Sequence, residues 1–344
     1  IFENLKDKIM KTSGHVTSNR YSKPYRPFII KTINFTGRML RKVGLVKTGF
    51  NSKSLLNKAM KKAKLYNIGE DAYIERMNLL LKDMTENSKL HPFGHFISVK
   101  NTVRLLINRL RLEEAFAKHP EILDINVDDP VFITGLQRTG TTMLQRLLSV
   151  NKDFRFLTSW EAINPAPYPK NGNKKEEPRV KMALMSQKAV KFMAPDFFAI
   201  HPIDAYGPEE DCLLFDISFW GTAPEATLRV PNFSKFLEEK DHTEAYLYYK
   251  KILQYLMWQN PSKRWLLKTP QHMEHLDVLF KVFPKAKIIH THRDPAKTVA
   301  SFCSMISHAY GVFSDEVNHL EIRDHWMRKN VKMVNDAMAI RDKV

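Results

Sequence analysis

Residues Phe132–Leu148 read FITGLQRTGTTMLQRLL. A short apolar run enters a loop bounded by Gly135 and Gly140, and a helix-forming stretch leaves it. The two glycines have the spacing of a phosphate-binding loop, G-x-x-x-x-G-K-[ST], between a strand and a helix. Glycine lets such a loop curl until its N–H groups converge, and the helix start adds a positive end. The position of the expected lysine holds Thr141, however. Arg138 lies inside the loop instead, among the hydroxyls of Thr139, Thr141 and Thr142. A guanidinium with hydroxyls suits a short anion that needs no metal, rather than a nucleotide triphosphate.

The same grammar continues downstream. "RWLLK" predicts a second strand and "PQHMEHLDVLFKVF" its helix; "AKIIHTH" predicts a third strand and "PAKTVASFCSMI" the helix after it. Short apolar strands that alternate with helices predict an α/β protein with a central parallel sheet, a three-layer fold of the P-loop NTPase type. Where a nucleotide triphosphatase ends this third strand with a metal-holding acid, "HTHRDPAKTVAS" supplies Arg293 first, with Ser301 eight residues on. That arrangement predicts a second anion site near the first. Two such sites imply a donor with two separate phosphate-type groups.

Upstream, the apolar spacing predicts helices at about 52–65, 70–87 and 96–118 and a helical N-terminal part over residues 65–129 behind a basic arm, 1–64. The domain that follows is expected over 130–344, with an insertion at about 162–262 rich in prolines and aromatics, a natural acceptor cleft. The net charge of +17 is not spread along the chain. Residues 1–64 hold sixteen Lys/Arg against Glu3 and Asp7, a net of +14. Such an arm can bind nucleic acid, lie on an anionic membrane, or serve solubility. Within it "PFIIKTINFTGRMLRKVGLV" has the pattern of an interfacial amphipathic helix, which packing on its own domain would explain equally well. No run reaches the ~18 apolar residues of a membrane-spanning helix. The two cysteines, Cys212 and Cys303, sit in apolar segments and read as inert thiols, consistent with a cytoplasmic protein that is at most peripheral to a membrane. Because the chain starts at Ile1, a leader or anchor upstream is not excluded.

Together, "GLQRTGTTMLQRLL", "SWEAINPAPYP" and "LLKTPQHMEHLDVLFKVFPKAKIIHTHRDPAKTVAS" resemble the sulfotransferases that use 3′-phosphoadenosine 5′-phosphosulfate (PAPS), in the branch of tyrosylprotein and bacterial enzymes. The resemblance runs from about His119 to Ser301. It implies Arg138, Thr139, Gly140, Thr141 and Thr142 around the 5′-phosphosulfate, and Arg293 and Ser301 on the 3′-phosphate. It implies a catalytic role for Lys268, at the end of "RWLLK", beside Arg138 on the leaving side. Glu161 in "SWEAINP" falls near the branch's catalytic glutamate, two residues further from the loop. His201 and the run Glu209, Glu210, Asp211 in the insertion are rival acid–base groups. The four histidines His272, His275, His290 and His292 lack the i, i+4 zincin spacing, and the expectation is that no metal takes part. Relatives continue with a further strand that helps cover the donor, so the adenine contacts stay unassigned; at "MAIRDKV" the expectation is either a domain cut short or one without the family's last elements.

Two other readings compete with PAPS-dependent transfer to a hydroxyl or amine. A P-loop kinase or nucleotide triphosphatase fits the fold but lacks the loop lysine and a normal third-strand acid. A non-enzymatic nucleic-acid- or membrane-binding protein explains the arm but leaves both anion motifs without purpose, and nucleic acid is not the expected partner. The expected acceptor is a small molecule, lipid or glycan.

Overall fold

The computed structural model describes residues 24–46, 48–167 and 177–343. The outer basic arm, 1–23, and the stretch 168–176 of the expected insertion lie outside them.

Among the described residues four α-helices precede the sheet: α1 (Phe28–Lys42), α2 (Ser52–Ala63), α3 (Tyr73–Glu86) and α4 (Pro92–Lys118). Their starts are written locally. Asn51 accepts from Ser54 N at 2.8 Å to cap α2. At α4 the His91 ring accepts from Gly94 N at 2.9 Å and Pro92 opens the first turn, where a missing N–H costs nothing. That cap sets the start of α4 four residues before the expected one.

The sheet holds β1 (Val131–Thr134), β2 (Phe154–Phe156), β3 (Arg264–Lys268) and β4 (Lys287–His290), all parallel, in the order β2-β3-β1-β4. Three of these are the expected strands. β2 was not anticipated, since the three residues Phe-Arg-Phe are too short to show a period. Between the strands run α5 (Thr141–Leu148), α6 (Ser159–Ile163), α7 (Pro178–Met193), α8 (Pro195–Ile200), α9 (Cys212–Phe215), α10 (Ala223–Thr227), α11 (Pro231–Glu239), α12 (Thr243–Gln259) and α13 (Leu276–Val282). α14 (Pro295–Phe313) and α15 (His319–Arg341) follow β4. The expected helix "PQHMEHLDVLFKVF" is two pieces, a 3₁₀ turn over Pro270–Glu274 and α13, because His275 at φ −143° leaves the helical region.

Alternate residues of β1 serve the two faces of the sheet. Val131 and Ile133 pack with Leu266 under Leu144 and Leu148 of α5. Phe132 joins the main core with Leu267, Tyr246, Tyr249 and Ile252 of α12. That core also takes in Leu55, Met77, Leu81 and Leu106 from α2–α4, so the N-terminal helices and the sheet share one apolar interior. A smaller cluster, Phe302, Ile306, Tyr310, Ile322 and Trp326, ties α14 to α15. Parallel order brings the carboxyl ends of β1, β3 and β4 to one edge, where open α/β sheets bind ligands.

Candidate active site

The loop after β1 is the first thing at that edge. Gly135, Arg138 and Gly140 adopt φ of +150°, +69° and +95°. At Gly135 a Cβ would stand 2.4 Å from Thr291 Oγ1, so only glycine lets the loop lie against the end of β4. Gly140 has open space around it and is needed for its left-handed backbone, which starts α5. Arg138 takes a left-handed conformation without being glycine, a cost accepted at functional sites more often than elsewhere.

The two basic motifs, far apart in the chain, converge here. Arg138 Nε donates to Ser301 Oγ at 3.3 Å, and Arg293 Nη1 donates to the Arg138 carbonyl at 3.2 Å. Burial, and after it the charge of Arg293, pull the Arg138 pKa down. Among the described residues neither guanidinium meets a carboxylate. Two cations held together without a counter-charge are a site for anions. Thr141 and Thr142 face the adjoining cavity, whereas Thr139 Oγ1 donates to the Leu136 carbonyl at 2.6 Å and lies 2.6 Å from Thr291 Oγ1. The Thr139 hydroxyl therefore shapes the loop.

Lys268, at the end of β3, is almost wholly buried, its ammonium paired with Glu210 and 3.3 Å from Thr142 Oγ1. The neighbouring acids have separate tasks. Glu209 accepts from Ser159 Oγ and from Glu210 N at 3.0 Å. Asp211 accepts from Tyr249 OH and lies 3.0 Å from His272 Nε2, with Tyr246 OH 2.8 Å from the other ring nitrogen. This fully buried network fixes the backbone that presents Glu210.

Beside the loop opens a cavity of about 370 Å³. Its walls come from α5, α7, α8, α10, α14 and α15, and Phe197, Leu213, Phe302, Met305 and Trp326 make it largely apolar. Glu209, Glu210 and His201 face it. His201 follows α8, whose Ile200 carbonyl takes the second Arg138 contact at 3.4 Å.

Glu161 is not part of this lining, contrary to the sequence expectation. Its carboxylate accepts from Arg155 Nη2 at 2.9 Å and from Thr158 N and Oγ1 at 3.1 and 2.9 Å, a capping box at the start of α6. Arg155 lies over the Trp265 ring, 4.3 Å from its centroid, and donates to the carbonyls of Leu256 and Asn260. These three bonds engage both oxygens of Glu161 in holding α6 against β2. The histidines likewise scatter: His272 is on Asp211, His275 stacks on His242, and His290 meets His292. Two lining carboxylates, Glu225 and Glu274, had no sequence signal, since they stand far apart and in no motif.

A family model described as the sulfotransferase family matches residues 130–344. The chain belongs to the sulfotransferase family. Among solved structures, sulfotransferase STF9 from Mycobacterium avium superposes with a TM-score of 0.77 at 27% identity, over 87% of this chain and 76% of that one. Sulfotransferase STF1 from Mycobacterium tuberculosis H37Rv gives 0.72 at 28% identity, over 87% and 82%. In sequence the chain is similar to the omega-hydroxy-beta-dihydromenaquinone-9 sulfotransferase Stf3 of Mycobacterium bovis and Mycobacterium tuberculosis, 28% identical over 176 residues. That match covers 49% of this chain and 42% of the relative, so the sulfotransferase chain spans under half the length of those proteins.

Proposed function

We propose that this sulfotransferase moves a sulfuryl group from PAPS to a hydroxyl on an apolar, lipid-like acceptor and releases PAP. The observation that carries the reading is the convergence of Arg138 with Arg293 and Ser301 beside the glycine loop, with no carboxylate to neutralise them among the described residues. The loop, with Arg138, Thr141 and Thr142, holds the 5′-phosphosulfate, and Arg293 with Ser301 holds the 3′-phosphate. In the transfer, the sulfur's bond to the phosphate oxygen breaks as its bond to the acceptor oxygen forms. Charge gathers on the leaving oxygen, where Lys268 and Arg138 stabilise it. Glu210 receives the acceptor proton, because it alone of the cavity's acids touches Lys268 beside Thr142. His201, which also lines the cavity, is the second group with access to the acceptor.

The apolar cavity supports a lipid-like acceptor, as does the hydroxylated menaquinone in the name of the mycobacterial relative. No helix among the described residues is long and apolar enough to cross a membrane. We infer that the protein meets its acceptor at the bilayer surface through α1, which turns Ile30 and Asn34 inward and leaves Phe28, Ile29, Phe35 and Met39 exposed.

The first test is calorimetric titration with PAP in EDTA for the wild type, Arg138→Ala and Arg293→Ala, with ATP as the control ligand. Micromolar PAP binding that both variants lose is the expected result, followed by transfer from sulfur-labelled PAPS. Binding of ATP–Mg²⁺ with indifference to PAP would sink the proposal and favour a kinase or nucleotide triphosphatase.

A further inference from the structure

The acceptor cavity carries a second polar feature that sulfuryl transfer does not use. Glu225 of α10 and Glu274 of the 3₁₀ turn after β3 both line it, and one ammonium, Lys329 of α15, serves both. The side chains of all three are nearly inaccessible. Both oxygens of Glu225 are engaged: one pairs with Lys329 and the other accepts from Ser234 Oγ. Those of Glu274 are not. Lys329 Nζ stands 3.4 Å from its Oε1, at the far limit of a hydrogen bond, and no other described residue donates to that carboxylate. A carboxylate can accept about four hydrogen bonds, so most of its capacity is unfilled.

The charges around it do not balance. Two carboxylates face one lysine. Glu238 of α11 is already paired with Arg328 of α15, and burial holds His242, His275 and His325 below their ordinary pKa, hence uncharged at neutral pH. Burial accordingly raises the Glu274 pKa, against the pull of Lys329 and with the push of Glu225 and Glu238. A buried, under-bonded acid in an apolar wall is stabilised by any donor that reaches it.

Resting on the reading of this cavity as the acceptor site, we propose that Glu274 binds a hydrogen-bond donor on the acceptor itself, an ammonium or hydroxyl remote from the hydroxyl that is sulfated. The acceptor class is thus narrowed to amphiphiles polar at two places and apolar between them. Glu274 is a specificity residue and takes no part in the chemistry.

The test is calorimetry on the PAP-loaded protein with three ligands of one chain length: an alkanol, the α,ω-diol and the ω-amino alcohol. The diol or the amino alcohol should bind about tenfold more tightly than the alkanol, the worth of one hydrogen bond to a charged group. Preference for the amino alcohol identifies an ammonium, and equal preference a hydroxyl. In Glu274→Met, which leaves Lys329 with Glu225 alone, the preference should vanish while the alkanol binds as before. Equal binding of all three ligands to the wild type would overturn the inference and leave the acceptor cavity standing. If none binds although PAP does, both the inference and the acceptor reading of the cavity fall.

Discussion

Lys268 and Glu161 show how differently two charged residues of one motif set are employed. Lys268 is buried beside Thr142, with Glu210 as its counter-charge, and in the proposed transfer it stabilises the leaving oxygen. Lys268→Met should lower kcat by about 10²- to 10³-fold, the usual loss for a group aimed at developing charge, and change PAP affinity far less. A variant with unchanged kcat would remove Lys268 from the leaving side. Glu161→Ala should act on stability instead. It strands the buried Arg155 guanidinium, and urea unfolding should show a loss of about 3 kcal/mol, with kcat of the folded fraction preserved. If kcat collapsed while stability held, Glu161 would regain the role of base. The sequence put Glu161 forward, by its resemblance to the branch's catalytic glutamate, and offered Glu210 only as one of a rival acidic run. Only the fold reveals that Arg155 claims the first.

At the scale of elements, α1 buries only Ile30 and Asn34 of its fifteen residues. Its contact with α4 is close: a Cβ at Gly37 would stand 2.4 Å from Pro92 Cβ, so glycine is what permits the approach. Arg26 and Arg38 add ion pairs to Asp315. Yet Phe28 is 85% exposed and Phe35 61%, on a helix flanked by Lys31, Arg41 and Lys42. Apolar side chains turned outward among cations suit an anionic bilayer. Changing Phe28, Ile29 and Phe35 together to serine should reduce co-sedimentation with phosphatidylglycerol vesicles at least tenfold and leave the melting temperature in place. Binding that survives the triple change, or a melting temperature that falls with it, would mean the face is covered by protein. The amphipathic pattern was legible in the sequence; which side α1 turns inward was not, because that depends on the helix it meets.

The whole molecule carries a set of buried titratable groups that gives a pH dependence of stability. Burial lowers His91 and His242 to about 4 and holds His275 well below its ordinary value, so each binds a proton more readily when unfolded. Their contribution is complete above the unfolded pKa of about 6.5 and is lost as the pH falls toward 4. Asp216 opposes them: burial raises it to about 7, so its contribution is present below about 4 and is lost as the pH rises through 7. Three imidazoles outweigh Asp216 and the raised Glu274, so urea midpoints should fall steadily from pH 6.5 to 4.5. A flat or rising profile would show that these histidines gain charged partners the structure does not contain.

The chain's own pattern determined the parallel α/β sheet, the anion loop and its partner arginine, since glycine spacing, alternating apolar runs and a motif with few backbone solutions are local properties. Tertiary structure alone decided that Arg138, Arg293 and Ser301 meet, that Glu210 rather than Glu161 faces the cavity, and that Glu225 and Glu274 share the Lys329 ammonium. The physical reason is common to all three. Whether a charge is solvated, paired or stranded depends on which distant side chains are brought within a few ångströms of it, and that is a property of packing rather than of sequence spacing.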